Sequence, residues 1–298
     1  MADEPVRTRG TLLHFVEGTI VHAGPHVHED CHPLHTHSFF ELALVTGGEG
    51  VHHSQAGRQD LRVGDVVVLR PGVWHEYEQC RSLEVYNCCF SADLVQRELA
   101  WTREDPLLGY LLWTGPFSAQ RRGVLSTHLD DETLTEALGH LDGLRQLRNQ
   151  SVRRHRGDLI GWLSLYLSCV ARTVGERDEL GRQTHPAVLA AMRMMEAEPA
   201  RPWTLTDLAQ ELHLAPGYLV RLFKSATGMP PMAYLSRHRV ELAAVQLLHT
   251  DLPIARIGEA VGWPDQNYFA RRFKSHYGLS ASTYRQRFNQ PSLTHSVH

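Results

Sequence analysis

Cysteine is scarce in this 298-residue chain: five residues, an odd number, with no CxxC pair and no repeating spacing. A disulfide framework is thereby excluded, and a reducing compartment is expected. Long hydrophobic runs are absent as well. No stretch approaches the roughly 18 apolar residues of a membrane span, and the charged opening MADEPVRTRG is not followed by an apolar core of signal-peptide length. A cytoplasmic protein without a membrane partner is the expectation. Catalytic signatures are missing too: there is no GxGxxG, Walker A or GxSxG pattern, and no separate general acid, nucleophile or cofactor loop. The chain is therefore not expected to be an enzyme.

What is present suffices for two domains, given the length and a hydrophobic content of 42%. The formal charge of -3 conceals a split. Residues 181–298 hold 13 Lys+Arg against 8 Asp+Glu, which leaves 17 against 25 of the totals of 30 and 33 for residues 1–180. An acidic front and a basic back imply different partners. Of the 20 histidines, ten lie in the first 75 residues.

Residues 11–90 alternate short apolar runs with Gly, Pro, Asn and Asp, the spacing of an antiparallel sandwich or small barrel. Within them, HPLHTHSFFELALVTGG (32–48) sets His35, His37 and Glu41 in an apolar run. On one strand these odd positions share a face with Phe39, as a metal site or polar pocket requires. After Phe90 the period becomes helical: Leu134, Leu138, Leu141 and Leu144, then Leu159, Leu163, Tyr166, Leu167 and Val170. This pair of helices either packs on its own barrel or joins two chains in a homodimer. A polar, Gly-punctuated stretch at 174–183 reads as a linker.

Beyond it two stretches repeat. LAQELHLAPGYLVRLFKSATG from 208 aligns with IGEAVGWPDQNYFARRFKSHYG from 257, with one extra residue in the second turn, so that Phe223-Lys224-Ser225 falls on Phe273-Lys274-Ser275 and Gly228 on Gly278. Each copy reads as a helix, a turn and a second helix. Thr206 is the expected cap of the first helix, Pro216 the first turn and Gly228 the end of the second. Leu219, Leu222, Phe223, Phe269 and Phe273 form the inward face. Val220, Arg221, Lys224, Gln266, Arg271, Arg272 and Lys274 remain for solvent or DNA, where Arg reads guanine, Gln reads adenine and Lys suits phosphate. A helix from Met232 to Thr250 is expected to hold the two units apart.

Residues 185–289 resemble the paired helix-turn-helix domain of AraC/XylS-type transcription regulators, and IARIGEAVGWPDQNYFARRFKSHYGLSASTYR closely resembles that family's signature. The resemblance puts Gly217, Val220 and Arg221 at base-facing positions of the first reading helix, and Gln266, Tyr268 and Arg271 at those of the second. It implies double-stranded DNA as partner, with RNA polymerase as a further one for an activator. The front half resembles the cupin barrel that such regulators carry. His35-Thr36-His37, Glu41 and Gly47 match the first cupin motif, and GDVVVLRPGVWHEY, with Gly64, Pro71, Gly72 and His75, matches the second. Pro71 stands one place late and Gln79 replaces a common Asn.

The resemblance thus implies a cupin-type all-β barrel with appended helices followed by an all-α domain. An N-terminal arm spans 1–15, an effector-binding and dimerisation domain 16–173, the linker 174–183 and the DNA-binding domain 184–298. It fills four ligand positions, His35, His37, Glu41 and His75, a set suited to Zn, Fe, Mn or Ni. These residues either hold a metal, hydrogen-bond a small effector, or brace the barrel. Trp74 and Tyr77, flanking His75, either stack on an effector such as a carbohydrate or pack in the core. The competing readings are a metal-dependent cupin enzyme and a metal sensor, each fused to a DNA-binding domain. His22, His26, His28 and His32 read as a polar loop in preference to a second metal cluster. His52 and His53 point to opposite faces of a strand, and Cys88-Cys89 reads as buried in preference to oxidant-sensing.

Overall fold

The computed structural model describes residues 6–7, 12–14, 20–29, 31–116, 121–148, 150–178 and 184–288. Among them nine strands share one sheet: β1 (Val6–Arg7), β2 (Leu12–His14), β3 (Val21–His28), β4 (His32–His37), β5 (Phe40–Ser54), β6 (Gly57–Leu61), β7 (Asp65–Leu69), β8 (Trp74–Phe90) and β9 (Val124–His128). The main path runs β1-β2-β4-β8-β5-β7-β9, with β3 added to β8 and β6 to β5. The two long strands make the roll. β5 pairs with β8 along nearly its whole length, and register shifts between Val45 and Val51 bend the ladder where Gly47, Gly48 and Gly50 lie. The described pieces of the arm, β1 and β2, are part of this sheet. Leu12 and Leu13 of β2 pair in parallel with Thr36 and His37 of β4.

Strand alternation sorts the side chains. Inside the roll lie Ala43, Val45, Val67, Leu69, Tyr77, Leu83 and Val85, while Phe40, Leu42, Leu44, Val66, Val68, Tyr86, Cys88 and Phe90 face outward. Helices cover that outer face: α1 (Ala92–Arg97), α2 (Pro106–Gly109), which continues into a wider turn over Tyr110–Thr114, α3 (Asp131–Gln146) and α4 (Val152–Asp178). Leu163, Tyr166, Leu167 and Val170 of α4 are fully buried there, each contributing about 1.5–3 kcal/mol before entropic costs. The expected linker start at 174 is corrected: Val174 is buried and α4 runs on to Asp178. Residues 179–183 of that linker lie outside the described residues.

The back domain is helical: α5 (Pro186–Ala197), α6 (Leu205–Glu211), α7 (Pro216–Thr227), α8 (Pro231–His249), α9 (Ile254–Ala260), α10 (Gln266–Tyr277) and α11 (Ala281–Phe288). The expected cap at Thr206 is also corrected. Thr204 caps α6 in a reciprocal box with Asp207, because helix begins at Leu205. Pro216 opens α7, and Gly228 and Gly278 close α7 and α10, each with φ 74°. The tight turn needs a left-handed residue, supplied by His213 (φ 53°) in one copy and Gly262 (φ 90°) in the other.

The two domains touch through charged and polar groups. Arg70 binds Glu241 of α8 at 3.2 Å, with both side chains buried, and also donates to the Leu112 carbonyl at 2.7 Å. Arg103 pairs with Glu196 of α5. Gly72 (φ 83°) turns tightly against this interface, and a Cβ there would meet the Tyr277 hydroxyl at 2.7 Å.

Candidate functional site

The opening motif is split between two strands. β4 ends at His37, Ser38 and Phe39 form a bend, and Glu41 is the second residue of β5, so one continuous strand is not what aligns the three ligands. Two of them meet His75 of β8 nonetheless: ligand atoms of His37, Glu41 and His75 lie within 4.8 Å of one another, all buried, a group that does not include His35. His35 pairs across the sheet with His75, their rings 4.0 Å apart, and Phe39 stacks on the His37 ring at 4.4 Å.

Hydrogen bonds define which nitrogen each ring offers. His35 Nδ1 meets the Pro33 carbonyl at 2.9 Å and His37 Nδ1 meets the Phe39 carbonyl at 2.8 Å. A carbonyl only accepts, so each Nδ1 carries the proton and each Nε2 points onward. His37 Nε2 then lies 2.9 Å from a Glu41 carboxylate oxygen, yet without hydrogen-bond geometry. Two acceptors at that distance repel unless a cation, a second ring proton or a metal ion, lies with them. Burial raises the Glu41 carboxyl, but the adjacent His37 imidazole, with the charges of His35 and His26, outweighs it and brings the carboxyl to about 2. Burial brings His35 and His52 to about 4 and His75 well below its ordinary value. At neutral pH these three rings keep lone pairs beside an anion, the donor set that a borderline divalent ion takes.

The lining is richer than the motifs announce. His52, on the inner face of β5, has its ring 5.6 Å from His75 and from Tyr77. His28 stacks on Tyr77 at 5.1 Å, and His32 sits 4.5 Å from His35. The polar-loop reading of His22, His26, His28 and His32 is thus corrected: the first three lie on β3 and His32 on β4, and His28 and His32 reach the pocket. The buried atoms His28 Nε2, His37 Nε2, His52 Nε2, both His75 nitrogens and Tyr77 Oη have no hydrogen-bond partner among the described residues. Buried polar atoms are rarely left unsatisfied in such numbers, so the arrangement is built for an added polar group. Trp74 does not belong to this pocket. It points the other way, packs with the apolar cluster of α8 to α11 and donates from Nε1 to the Tyr277 carbonyl at 3.2 Å. Cys88 and Cys89 are buried, and burial pushes both thiols up, which leaves them inert.

The second surface belongs to α7 and α10. Leu219, Phe223, Phe269 and Phe273 are buried, and Leu222 is half-buried. Gly217, Arg221 and Lys224, and Gln266, Tyr268, Arg271 and Lys274, are exposed, with Val220 half-buried. Arg272 turns aside and donates to Ser236 of α8 at 2.6 Å. The repeat places Tyr218 on Tyr268. Both rings are exposed, and each lies near a guanidinium, Arg221 at 5.6 Å and Arg271 at 6.0 Å. Tyr218 was absent from the sequence-based set, although the alignment of the two copies would have identified it.

The domain described as "AraC-like ligand binding domain" matches residues 17–157, and "Helix-turn-helix domain" matches residues 208–287. The chain belongs to the AraC family of transcription regulators. The activator RhaR of Pectobacterium carotovorum subsp. carotovorum (strain PC1) is 28% identical over 260 residues, 86% of this chain and 87% of that protein. The RCS-specific activator RclR of Escherichia coli (strain K12) is 29% identical over 121 residues, 41% of this chain and 43% of that protein. ToxT of Vibrio cholerae has the same fold, with a TM-score of 0.54 at 12% identity over 91% of this chain and 99% of that one. This AraC-family regulator therefore binds DNA through its paired helix-turn-helix units, carries an effector-binding domain and is not an enzyme. No helix among the described residues is long and apolar enough to cross a membrane.

Proposed function

We propose that this AraC-family regulator senses a small polyhydroxylated molecule, of carbohydrate class, bound in the roll through a divalent metal held by His35, His37, Glu41 and His75. The observation that carries the reading is the unpartnered His37 Nε2 facing the Glu41 carboxylate at 2.9 Å in a pocket with further unpartnered imidazole nitrogens. A metal there supplies Lewis-acid positions to which adjacent hydroxyl oxygens bind. Tyr77, His52 and His28 then offer hydrogen bonds to the rest of the effector. The protein acts in the cytoplasm, as a homodimer, and meets RNA polymerase when it activates.

Alternation supplies the link to DNA. His35 and His37 face inward while Thr36 between them faces out, 3.2 Å from the Tyr284 hydroxyl of α11. That hydroxyl lies 2.7 Å from the Gly72 carbonyl, and the Gly72 amide donates to the His37 carbonyl at 2.8 Å. His75 faces inward and Trp74 outward onto α10 in the same way. The ligand strands β4 and β8 thus touch α11 and α10 with their opposite faces, so an effector that prefers one arrangement shifts the population of the other domain.

The test is metal content per chain in full-length protein purified without chelator, beside His37→Ala and His75→Ala. Stoichiometric metal, lost in both variants, is expected. Metal-free protein that still responds to its effector would remove the ion from the mechanism. A DNA-binding response that follows metal concentration with no organic ligand would make the metal itself the signal.

A further inference from the structure

Apart from the histidine pocket, a cavity of about 270 Å³ opens where three parts of the fold meet. The roll supplies Arg122 from the turn before β9, α8 supplies Ser236 and Arg237, and α10 supplies Arg272, Ser275 and His276. Three guanidinium groups border one small space. Arg272 donates from Nε and Nη2 to Ser236 Oγ at 2.9 and 2.6 Å, and Arg122 donates from Nη1 to the Gln55 carbonyl at 3.3 Å. Both acceptors are neutral. Glu241, the carboxylate whose charge acts on Arg237, is itself gripped by Arg70 through contacts of 3.2 to 3.4 Å. Arg122 and Arg272 thus face the cavity with only neutral acceptors, beside the Arg237 guanidinium, an arrangement to which an anion would add charge-assisted hydrogen bonds.

Two further observations agree. Arg122 has φ 47°, a left-handed conformation uncommon outside glycine, and Gln55 holds it twice, donating from its amide to the Arg122 carbonyl and accepting from the Arg122 guanidinium. A strained backbone secured by a neighbouring side chain is a placement that function explains. Burial, then the charges of Arg237, Arg122 and Arg272, pushes the His276 imidazole down to about 3. The ring is uncharged and adds a neutral donor to the rim.

We propose that this cavity is an oxyanion site of the phosphate class, taking a phosphoryl group or a phosphodiester between Arg122, Arg237 and Arg272. Guanidinium forks match the paired oxygens of such an anion. The volume lies just below the roughly 300–1,000 Å³ of pockets for drug-sized ligands, which suits a compact anion or one protruding group. An occupant bridges the roll, α8 and the second reading helix α10, so its binding favours the arrangement in which these three converge. Nothing in this site depends on the metal or on the effector in the roll.

The same chemistry has two sources, a free phosphorylated ligand and the DNA backbone, and the experiment separates them. Inorganic phosphate is titrated into full-length protein without DNA, with sodium chloride of equal ionic strength as control, and the thermal midpoint is followed. A free-ligand site gives a saturable rise with phosphate alone; Arg122→Gln and Arg237→Gln each weaken it about tenfold or more, and Arg122→Lys recovers part of the loss. A backbone site gives no such rise. Arg122→Gln then weakens target and scrambled DNA alike and reduces the slope of log affinity against log salt by about one, again partly recovered by Arg122→Lys. Failure of both signatures, or a phosphate response unchanged in both Gln variants, overturns the proposal. His37→Ala leaves the phosphate arm intact, so loss of the metal reading is distinguishable from loss of this one.

Discussion

Arg271 and Lys274 stand nearly one turn apart on the exposed face of α10, yet their chemistry assigns them different work. A guanidinium near the Tyr268 ring is preorganised for paired hydrogen bonds to a base, whereas an ammonium is a point charge for phosphate. Arg271→Ala is expected to cost about 1–3 kcal/mol on target DNA and to relax preference at one base position, while Lys274→Ala weakens all sequences alike. Equal losses on target and scrambled DNA for Arg271→Ala would refute its reading role. At this scale most of the site was legible, because His35, His37, Glu41 and His75 sit in motifs with fixed spacing. Three features were not. His28, His32 and His52 reach the pocket through pairings that spacing does not reveal. Trp74 looked like a pocket residue until the register set it opposite Thr36, on the outer face. Arg272 looked DNA-facing because helical periodicity alone does not show that Ser236 of α8 lies beside it.

At the scale of elements, β4 is the informative strand. It carries two ligands inward, touches Tyr284 outward through Thr36, and accepts the arm strand β2 along its free edge. Tyr284→Phe removes one buried hydroxyl and is expected to cost about 1 kcal/mol of stability. The larger consequence is for signalling: DNA affinity changes less on adding effector, while metal content stays at the wild-type level. Deleting residues 1–15 removes β2 from the edge of β4, and β1 with it, and is expected to alter the effector-dependent response while leaving effector-free DNA affinity near wild type. An unchanged response after the deletion would show that the arm takes no part. Helical elements were read well from periodicity and glycine caps, since α7 and α10 have strongly one-sided apolar faces. Boundaries drifted where polar residues continue a helix, as in α4 beyond Val174, and where two threonines compete to cap α6.

For the whole molecule, two surfaces decide assembly. On α4, Leu165 is 50% exposed, and Trp162, whose ring covers Gly143 of α3, is 37% exposed, so the helices that cover the roll keep apolar groups on their outer side. A homodimer through this face is expected, and Leu165→Glu in the full chain should shift sedimentation toward the monomer. Within one chain, the domains are joined where the sequence offered no signal, since Arg70 and Glu241 are 171 positions apart. Their pairing is buried at 8% and 7% side-chain exposure, so removing one partner strands the other charge. Arg70→Met is expected to cost about 3–5 kcal/mol, and the double change Arg70→Met with Glu241→Leu to recover most of it, because apolar replacement of a buried ion pair is often neutral. Recovered stability in the double variant, together with a lost effector response, would mean that the pair sets the arrangement of the domains and not the strength of the fold. Should the double variant remain as unstable as the single one, the loss would lie in other Arg70 contacts, such as its bond to the Leu112 carbonyl and its place over the Phe40 ring, and not in the pairing with Glu241.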